Sequence, residues 1–371
     1  MKVPFVDLKT QYLGVRDEVL AEIGKALDSM QLYLGPNVQA LEDEFARYCG
    51  TEFAIGVGSG TEALHISLLA CGVGSGDEVI TVANTFIATA EAIALTGARA
   101  VFVDIDAQTY NMDTSQIESR LNSKTRVILP VHLYGHPAEM NPIGELARKY
   151  GIKIVEDACQ AHGAEYLGKR TGSLSDVGCF SFYFTKNLGA YGEAGMIVTS
   201  DPAIASKCKM LRDHGQSVKY HHHYLGVNSR LDEIQAAVLK VKLPRLDAWN
   251  SKRRSLAQAY EAGLPSSVIK PVEMPWAKHV YHLYVIRVRK RDQLRSWLEE
   301  NGVATGMHYP IPIHLQDGWR GYYDYQRSLP ITEEVTKQIL SLPMYPELSS
   351  EQVVYVCELV REFEAGISAQ C

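Results

Sequence analysis

Between residues 53 and 200 the sequence switches repeatedly between two periodicities. Seven short, apolar, β-prone runs recur: FAIGV (53–57), EVITVA (78–83), RAVFVDI (99–105), RVILPVHLYG (126–135), IKIVED (152–157), GCFSFYF (178–184) and GMIVTS (195–200). Stretches with helical spacing lie between several of them, among them 61–72, 85–97 and 141–151. Strands this apolar are buried on both faces, and helices between them provide the crossovers that parallel pairing requires. The pattern predicts an α/β layer with a mainly parallel central sheet flanked by helices.

After residue 200 the pattern changes. Residues 202–214, 229–243 and 245–262 read as helices, and 265–275 is a Pro-rich connection. HVYHLYVIRVR (279–289) alternates like a half-exposed strand, DQLRSWLEENG (292–302) is a helix with a Gly stop, and VATGMHY (303–309) resumes a strand. A chain of 371 residues suits two lobes better than one core. The expected division is a large α/β domain over 1–245, with an N-terminal arm, and a smaller α+β domain over 246–371.

A formal net charge of -6 argues against a general nucleic-acid binder, which would show a basic face. No stretch approaches the ~18 uninterrupted apolar residues of a membrane helix. MKVPFVDLKTQY at the N-terminus has no apolar run of signal-peptide length. The seven cysteines, Cys49, Cys71, Cys159, Cys179, Cys208, Cys357 and Cys371, form no C-x-x-C pair. Free thiols in a reducing, cytoplasmic setting are expected, with no zinc site and no disulfide framework.

Three segments carry residues suited to chemistry. The loop Gly56-Val57-Gly58-Ser59-Gly60-Thr61-Glu62 follows a strand and opens a helix. Its glycines allow close backbone approach, and free N–H groups at a helix start attract an anion. It lacks the Lys of a P-loop and the spacing of a dinucleotide fingerprint, so a single-phosphate cradle competes with a plain strand–helix turn. Asp157, in EDACQAH (156–162), ends a parallel strand, where open α/β sheets bind ligands. It suits a protonated ring nitrogen, or a helix cap. Lys186 follows the apolar run 178–184 and precedes a Gly-rich turn. Semi-burial there lowers a lysine pKa and yields an amine fit for a Schiff base; a surface lysine is the plain alternative. Together, a Schiff-base lysine, a carboxylate and a phosphate cradle are what pyridoxal-phosphate chemistry requires.

The chain also resembles the DegT/DnrJ/EryC1/StrS sugar aminotransferases, a branch of the fold-type I pyridoxal-phosphate (PLP) enzymes. The resemblance runs through PFVDLKTQY (4–12), LGPNVQALEDEFARYCG (34–50), GVGSGTEAL (56–64), PVHLYGHPAEM (130–140), VEDACQAHGA (155–164), FSFYFTKNLGAYGEAG (180–195), NSRLDEIQAA (228–237) and HYPIPIHLQ (308–316). It implies that Lys186 carries the cofactor and shuttles protons, and that Asp157 pairs with the pyridine nitrogen. Gln160 would lie by the phenolic oxygen, and Phe86 would stack on the ring, although a core Phe on an amphipathic helix reads the same way. Ser59, Gly60, Thr61 and Ser181 would hold the phosphate. Asn228 resembles the residue that reaches the phosphate from the neighbouring subunit, which implies a homodimer. One branch of the family replaces the lysine with His and dehydrates; Lys186 keeps the transaminase pattern. Cys159 stands where Ala is common.

The resemblance further implies L-glutamate as donor, pyridoxamine phosphate as the aminated cofactor form, and a nucleotide-linked keto-sugar as acceptor. Candidate substrate contacts are Tyr183, Lys219, Tyr220, Arg230, His308, Tyr309 and His314. Histidines 221–223 point in different directions and have no acidic neighbour, so no metal is expected there. The blocks look most like members acting at C3 of dTDP-3-keto-6-deoxyhexoses, which supply amino sugars to O-antigen, lipopolysaccharide or natural products. A C4 transaminase on a UDP- or dTDP-4-keto sugar is the alternative. A NAD-dependent sugar oxidoreductase would need a complete G-x-G-x-x-G and an acidic residue about 20 positions on, both missing here. A non-catalytic regulator on the same fold could have lost Lys186 or Asp157, and neither is lost.

Overall fold

The computed structural model describes residues 1–319 and 328–368; Cys371 lies outside them. Each of the seven apolar runs contributes a strand to one sheet: β1 (Phe53–Val57), β2 (Glu78–Val82), β3 (Arg99–Val103), β4 (Thr125–Ile128), β5 (Lys153–Asp157), β6 (Val177–Ser181) and β7 (Gly195–Thr199). Their order is β1-β7-β6-β5-β4-β2-β3. Only β7 runs against its neighbours, β1 and β6.

Alternation along the strands explains why both faces are apolar. Ile55, Val57, Val177, Cys179 and Ile197 face one buried layer, together with Leu64 and Ile66 of the helix Gly60–Ala70. Ala54, Phe180, Met196 and Val198 face a second layer, with Leu41 and Phe45 of the helix Pro36–Cys49. Phe45 meets Phe180 and Phe182 edge-on at 5.0 and 5.3 Å. Losing one such buried ring costs about 3–5 kcal/mol.

A second core gathers around the antiparallel pair β8 (Tyr284–Arg287) and β9 (Ile339–Leu342). The helices Leu246–Gly263, Arg291–Glu300 and Ser350–Ser368 surround it. Tyr260 and Tyr284 stack in its centre at 4.8 Å, and the Tyr260 hydroxyl donates to the Pro343 carbonyl at 3.0 Å. The N-terminal arm completes it: Val3, fully buried, pairs with Val303.

Three expected strands come out differently. The run 126–135 is a strand only over Thr125–Ile128, since Pro130 has no N–H to give a ladder, and Leu133–Gly135 forms a 3₁₀ turn. The run 279–289 is a strand only over Tyr284–Arg287, because Tyr281 turns the backbone to a φ of 44°. Residues 303–309 form no strand. Val303 pairs with Val3 and Gly306 with Ser341, so successive residues are tied to different partners. Residues Gln216–Val218 and His221–His222 form a short exposed hairpin. The six described cysteines are free thiols. Among the described residues no helix is long and apolar enough to cross a membrane.

Candidate active site

The C-terminal ends of β1, β2, β5 and β6 open on one cavity of about 730 Å³. Ser59, Gly60, Thr61, Phe86, Asp157, Gln160, Ser181, Tyr183, Lys186, His308 and Tyr309 all line it. Of the expected cofactor-binding residues, only Asn228 is absent.

Lys186 sits five residues beyond β6, on a tight turn. Its backbone N–H donates to the Tyr183 carbonyl at 2.8 Å, and Ala190 N–H returns to the Phe182 carbonyl at 2.8 Å. The turn is compact: a Cβ on Gly189 would lie 2.5 Å from the Phe184 carbonyl oxygen. From below, the buried ammonium of Lys242 donates to the Gly189 carbonyl at 2.5 Å. Lys186 lines the cavity, and most of its surface is covered by protein. That desolvation lowers its pKa, partly offset by Cys159, Asp157 and Glu193. More of its amine is therefore unprotonated at neutral pH, the form that attacks a carbonyl.

Strand alternation separates the two acids that end β5. Glu156 is buried on the far face, where His132 Nε2 lies 2.9 Å from it and the N–H groups of Gly172 and Leu174 donate at 2.7 and 2.8 Å. That carboxylate is structural. Asp157 faces the cavity, where Oδ1 accepts from Cys159 N–H at 3.2 Å and Oδ2 from Thr89 Oγ1 at 2.8 Å. Two donors fix the carboxylate's plane and leave lone pairs for a third.

The helix Gly60–Ala70 begins at the cavity wall, with Ser59 as its cap accepting from Glu62 N–H at 3.2 Å. The N–H groups of Gly60 and Thr61 have no intrahelical acceptor at this position, which makes an anion site. Close seating explains two glycines. A Cβ on Gly60 would lie 2.5 Å from Ser181 Cβ, and one on Gly195 would lie 2.3 Å from the Ser59 carbonyl oxygen.

The helix expected over 85–97 starts only at Ala88, which leaves Phe86 in the preceding loop. Phe86 is 52% exposed on the cavity wall, not a core residue, with its ring 5.6 Å from that of Tyr309. Gln160 accepts from Tyr134 N–H at 2.8 Å and donates to the Tyr309 hydroxyl at 3.1 Å. An aromatic wall, an anion site at one end, a fixed carboxylate and a free amine suit a ligand with a flat ring, a phosphate, a basic ring nitrogen and a carbonyl. Pyridoxal phosphate has all four.

The remaining candidates lie elsewhere. Asn228, Lys219 and Tyr220 are exposed and outside this cavity. Arg230 pairs with Asp213 at 3.2 Å and covers the Tyr33 ring at 4.3 Å. His314 is buried 3.2 Å from Glu333 and borders a different cavity, beside Arg99 and Leu329. Among the described residues no three His, Cys, Asp or Glu side chains gather in a metal-binding group.

Several cavity residues escaped the sequence reading: Phe5, Thr85, Thr89, Glu193 and His282. Thr89 had a partial signal, since the helical reading of 85–97 sets Thr85 and Thr89 four apart, on one face; in the structure Thr85 lies in the loop before the helix. Their hydroxyls lie 3.0 Å apart, behind Asp157. Thr89→Val removes a donor to a charged acceptor, so cofactor affinity should fall about tenfold or more, read by absorbance titration. Unchanged affinity would show that the Thr89 contact does not hold Asp157.

The model of the DegT/DnrJ/EryC1/StrS aminotransferase family matches residues 14–361. The chain is 46% identical to the dTDP-3-amino-3,4,6-trideoxy-alpha-D-glucose transaminase of Streptomyces venezuelae, over 98% of this chain and 96% of that one. It is 47% identical to a "pleiotropic regulatory protein" of Geobacillus stearothermophilus, over 98% and 99%. The fold superposes on the crystal structure of S. venezuelae DesV in complex with a ketimine intermediate, with a TM-score of 0.95, 46% identity and 98% coverage of both chains. With the amine, the carboxylate and the anion site on one cavity, and a family match over nearly its whole length, this chain belongs to the DegT/DnrJ/EryC1/StrS aminotransferase family.

Proposed function

We propose that this protein transfers the amino group of L-glutamate to the C3 keto group of a dTDP-3-keto-6-deoxyhexose. The observation that carries this reading is the convergence of Lys186, Asp157 and the Gly60 helix start on one cavity. Similarity to a transaminase named for a dTDP-3-amino sugar supports the choice of substrate. The name of the Geobacillus relative raises a purely regulatory role; a retained lysine and carboxylate in a formed site speak for catalysis.

Pyridoxal 5′-phosphate is the cofactor and supplies the electron sink for the carbon that gains or loses the amine. Asp157 would pair with its ring nitrogen and favour the protonated form, and Phe86 would stack on the ring. Ser59, Gly60, Thr61 and Ser181 bind the phosphate. Gln160 steadies the phenolic oxygen from its place beside Tyr309. Lys186 anchors the cofactor and moves the proton at Nζ. Tyr183, His308 and Tyr309 face the acceptor. Asn228, with Lys219, Tyr220 and Arg230, serves the neighbouring subunit's site in a homodimer; their absence from their own chain's cavity supports this. The position of His314 does not support a contact within its own chain. The proposed division into domains at 245/246 is supported by the second core on one face of β8 and β9, while Val285 and Ile339 on the other face join the core of the large sheet. A cytoplasmic location and a part in O-antigen or lipopolysaccharide amino-sugar supply accompany this reading.

The test is a panel of 3-keto and 4-keto hexoses on dTDP and UDP, offered with glutamate. Amination of the dTDP-3-keto sugar with the highest kcat/KM is expected. Turnover of 4-keto sugars alone would overturn the assignment.

A further inference from the structure

The side chain that follows Lys186 in sequence begins a one-way chain of hydrogen bonds. Asn187 is buried, and its amide nitrogen donates to Asn250 Oδ1 at 2.8 Å and to the Val280 carbonyl at 3.2 Å. Asn250 in turn donates its own amide nitrogen to the His162 carbonyl at 2.8 Å. Backbone carbonyls only accept, so both amides are fixed in orientation. Asn187 Oδ1 is therefore the atom that faces His282 Nδ1, 3.1 Å away. An oxygen there requires a proton on Nδ1, so Nε2 of the neutral ring carries a bare lone pair.

His282 is only 8% exposed, and what it exposes lines the cavity that holds Lys186. Nε2 has no hydrogen-bond partner among the described residues, and it is not one of the fully buried unpaired atoms. The backbone that carries the ring is held from behind. Arg253, itself buried, donates to the carbonyls of Tyr281, His282 and Met344 at 3.1, 3.3 and 2.8 Å. Burial, and then the charge of Lys186, hold the imidazole well below the usual histidine pKa, which keeps it neutral.

A bare, oriented acceptor selects its partner. The carboxylates of an amino-acid donor offer only lone pairs and are repelled. A sugar hydroxyl offers a proton. The geometry points to His282 Nε2 as the acceptor for a hydroxyl of the keto-sugar, a contact that serves the sugar half of the reaction and not the amino-acid half. This rests on the transaminase reading above.

Two variants separate the ring's two nitrogens. In His282→Asn the amide nitrogen stands where Nδ1 stood and keeps the bond to Asn187, but the cavity acceptor is gone. In His282→Gln an amide oxygen reaches the Nε2 position. The two half-reactions are followed separately with the holoenzyme by the cofactor's visible absorbance. His282→Asn should bind the cofactor and react with glutamate at a rate within about twofold of the parent. Its reaction of the aminated form with the keto-sugar should fall about tenfold to a hundredfold in kcat/KM, the loss typical of one hydrogen bond in a specific site. His282→Gln should recover part of that loss. A sugar lacking the partner hydroxyl should react equally slowly with parent and His282→Asn. Equal slowing of both half-reactions would overturn the proposal, because His282 would then act through Lys186 or the fold. No change in either, or a defect that no deoxy sugar matches, would overturn it as well. If the parent protein takes up no cofactor, the transaminase reading fails instead, a separate and recognisable outcome.

Discussion

Replacing Lys186 with alanine should reduce overall turnover on the order of 10⁴-fold or more while leaving the fold intact. The size follows from losing at once the two functions proposed for it: the nucleophile that anchors the cofactor, and the amine that moves the proton, a step alone worth about 10²–10⁴. The fold should tolerate the change, because among the described residues the Lys186 side chain makes no hydrogen bond that supports the turn. That turn is held by backbone bonds and by Lys242. The helix start, Asp157 and Phe86 remain, so the variant should still bind pyridoxal phosphate, but noncovalently. Borohydride reduction followed by mass spectrometry should add the cofactor's mass to the parent chain at Lys186 and add nothing to Lys186→Ala. Near-normal turnover by the variant would remove Lys186 from the chemistry.

Asp157→Asn should lower kcat by about a hundredfold to a thousandfold, the usual loss when an oriented charge in an enclosed site is neutralised. The carboxylate's geometry explains why the effect falls on rate. Cys159 N–H and Thr89 Oγ1 hold the side chain in place, and an amide of the same shape keeps the bond at its oxygen. What is lost is the negative charge proposed to favour a protonated ring nitrogen. Circular dichroism and thermal unfolding should stay close to the parent, since the residue lies on the cavity wall and not in either apolar layer. A large loss of stability with normal kcat would show instead that Asp157 is a structural cap. Glu156→Gln is the matching control. Its carboxylate bonds Gly172, Leu174, Ser175 and His132 on the opposite face, so it should harm stability first.

The sheet was legible because its information is local. Each apolar run carries its own β signal, and six became strands within a few residues of the expected ends; the seventh, 126–135, pairs only over Thr125–Ile128. Lys186, Asp157 and the Ser59–Thr61 loop were legible for the same reason: each follows a strand at the edge where open α/β sheets bind ligands. Residues brought in from far along the chain were not. Phe5 stacks on His308 at 5.7 Å, a contact between segments about 300 residues apart that no periodicity encodes. His282 looked like one position in an alternating strand, and only the positive φ at Tyr281 and the bond to Asn187 turn it towards the cavity. Segment 303–309 misled because its β-prone composition is real. Its pairing is divided between the N-terminal arm and Ser341 in β9.

The fate of the amino nitrogen decides whether this protein is a C3 transaminase. With ¹⁵N-labelled L-glutamate and the dTDP-3-keto-6-deoxyhexose, a dTDP-sugar product carrying ¹⁵N is expected, seen by NMR as coupling to the proton on C3, in step with release of the keto-acid. Label at C4, or keto-acid release without label in the sugar, would contradict it.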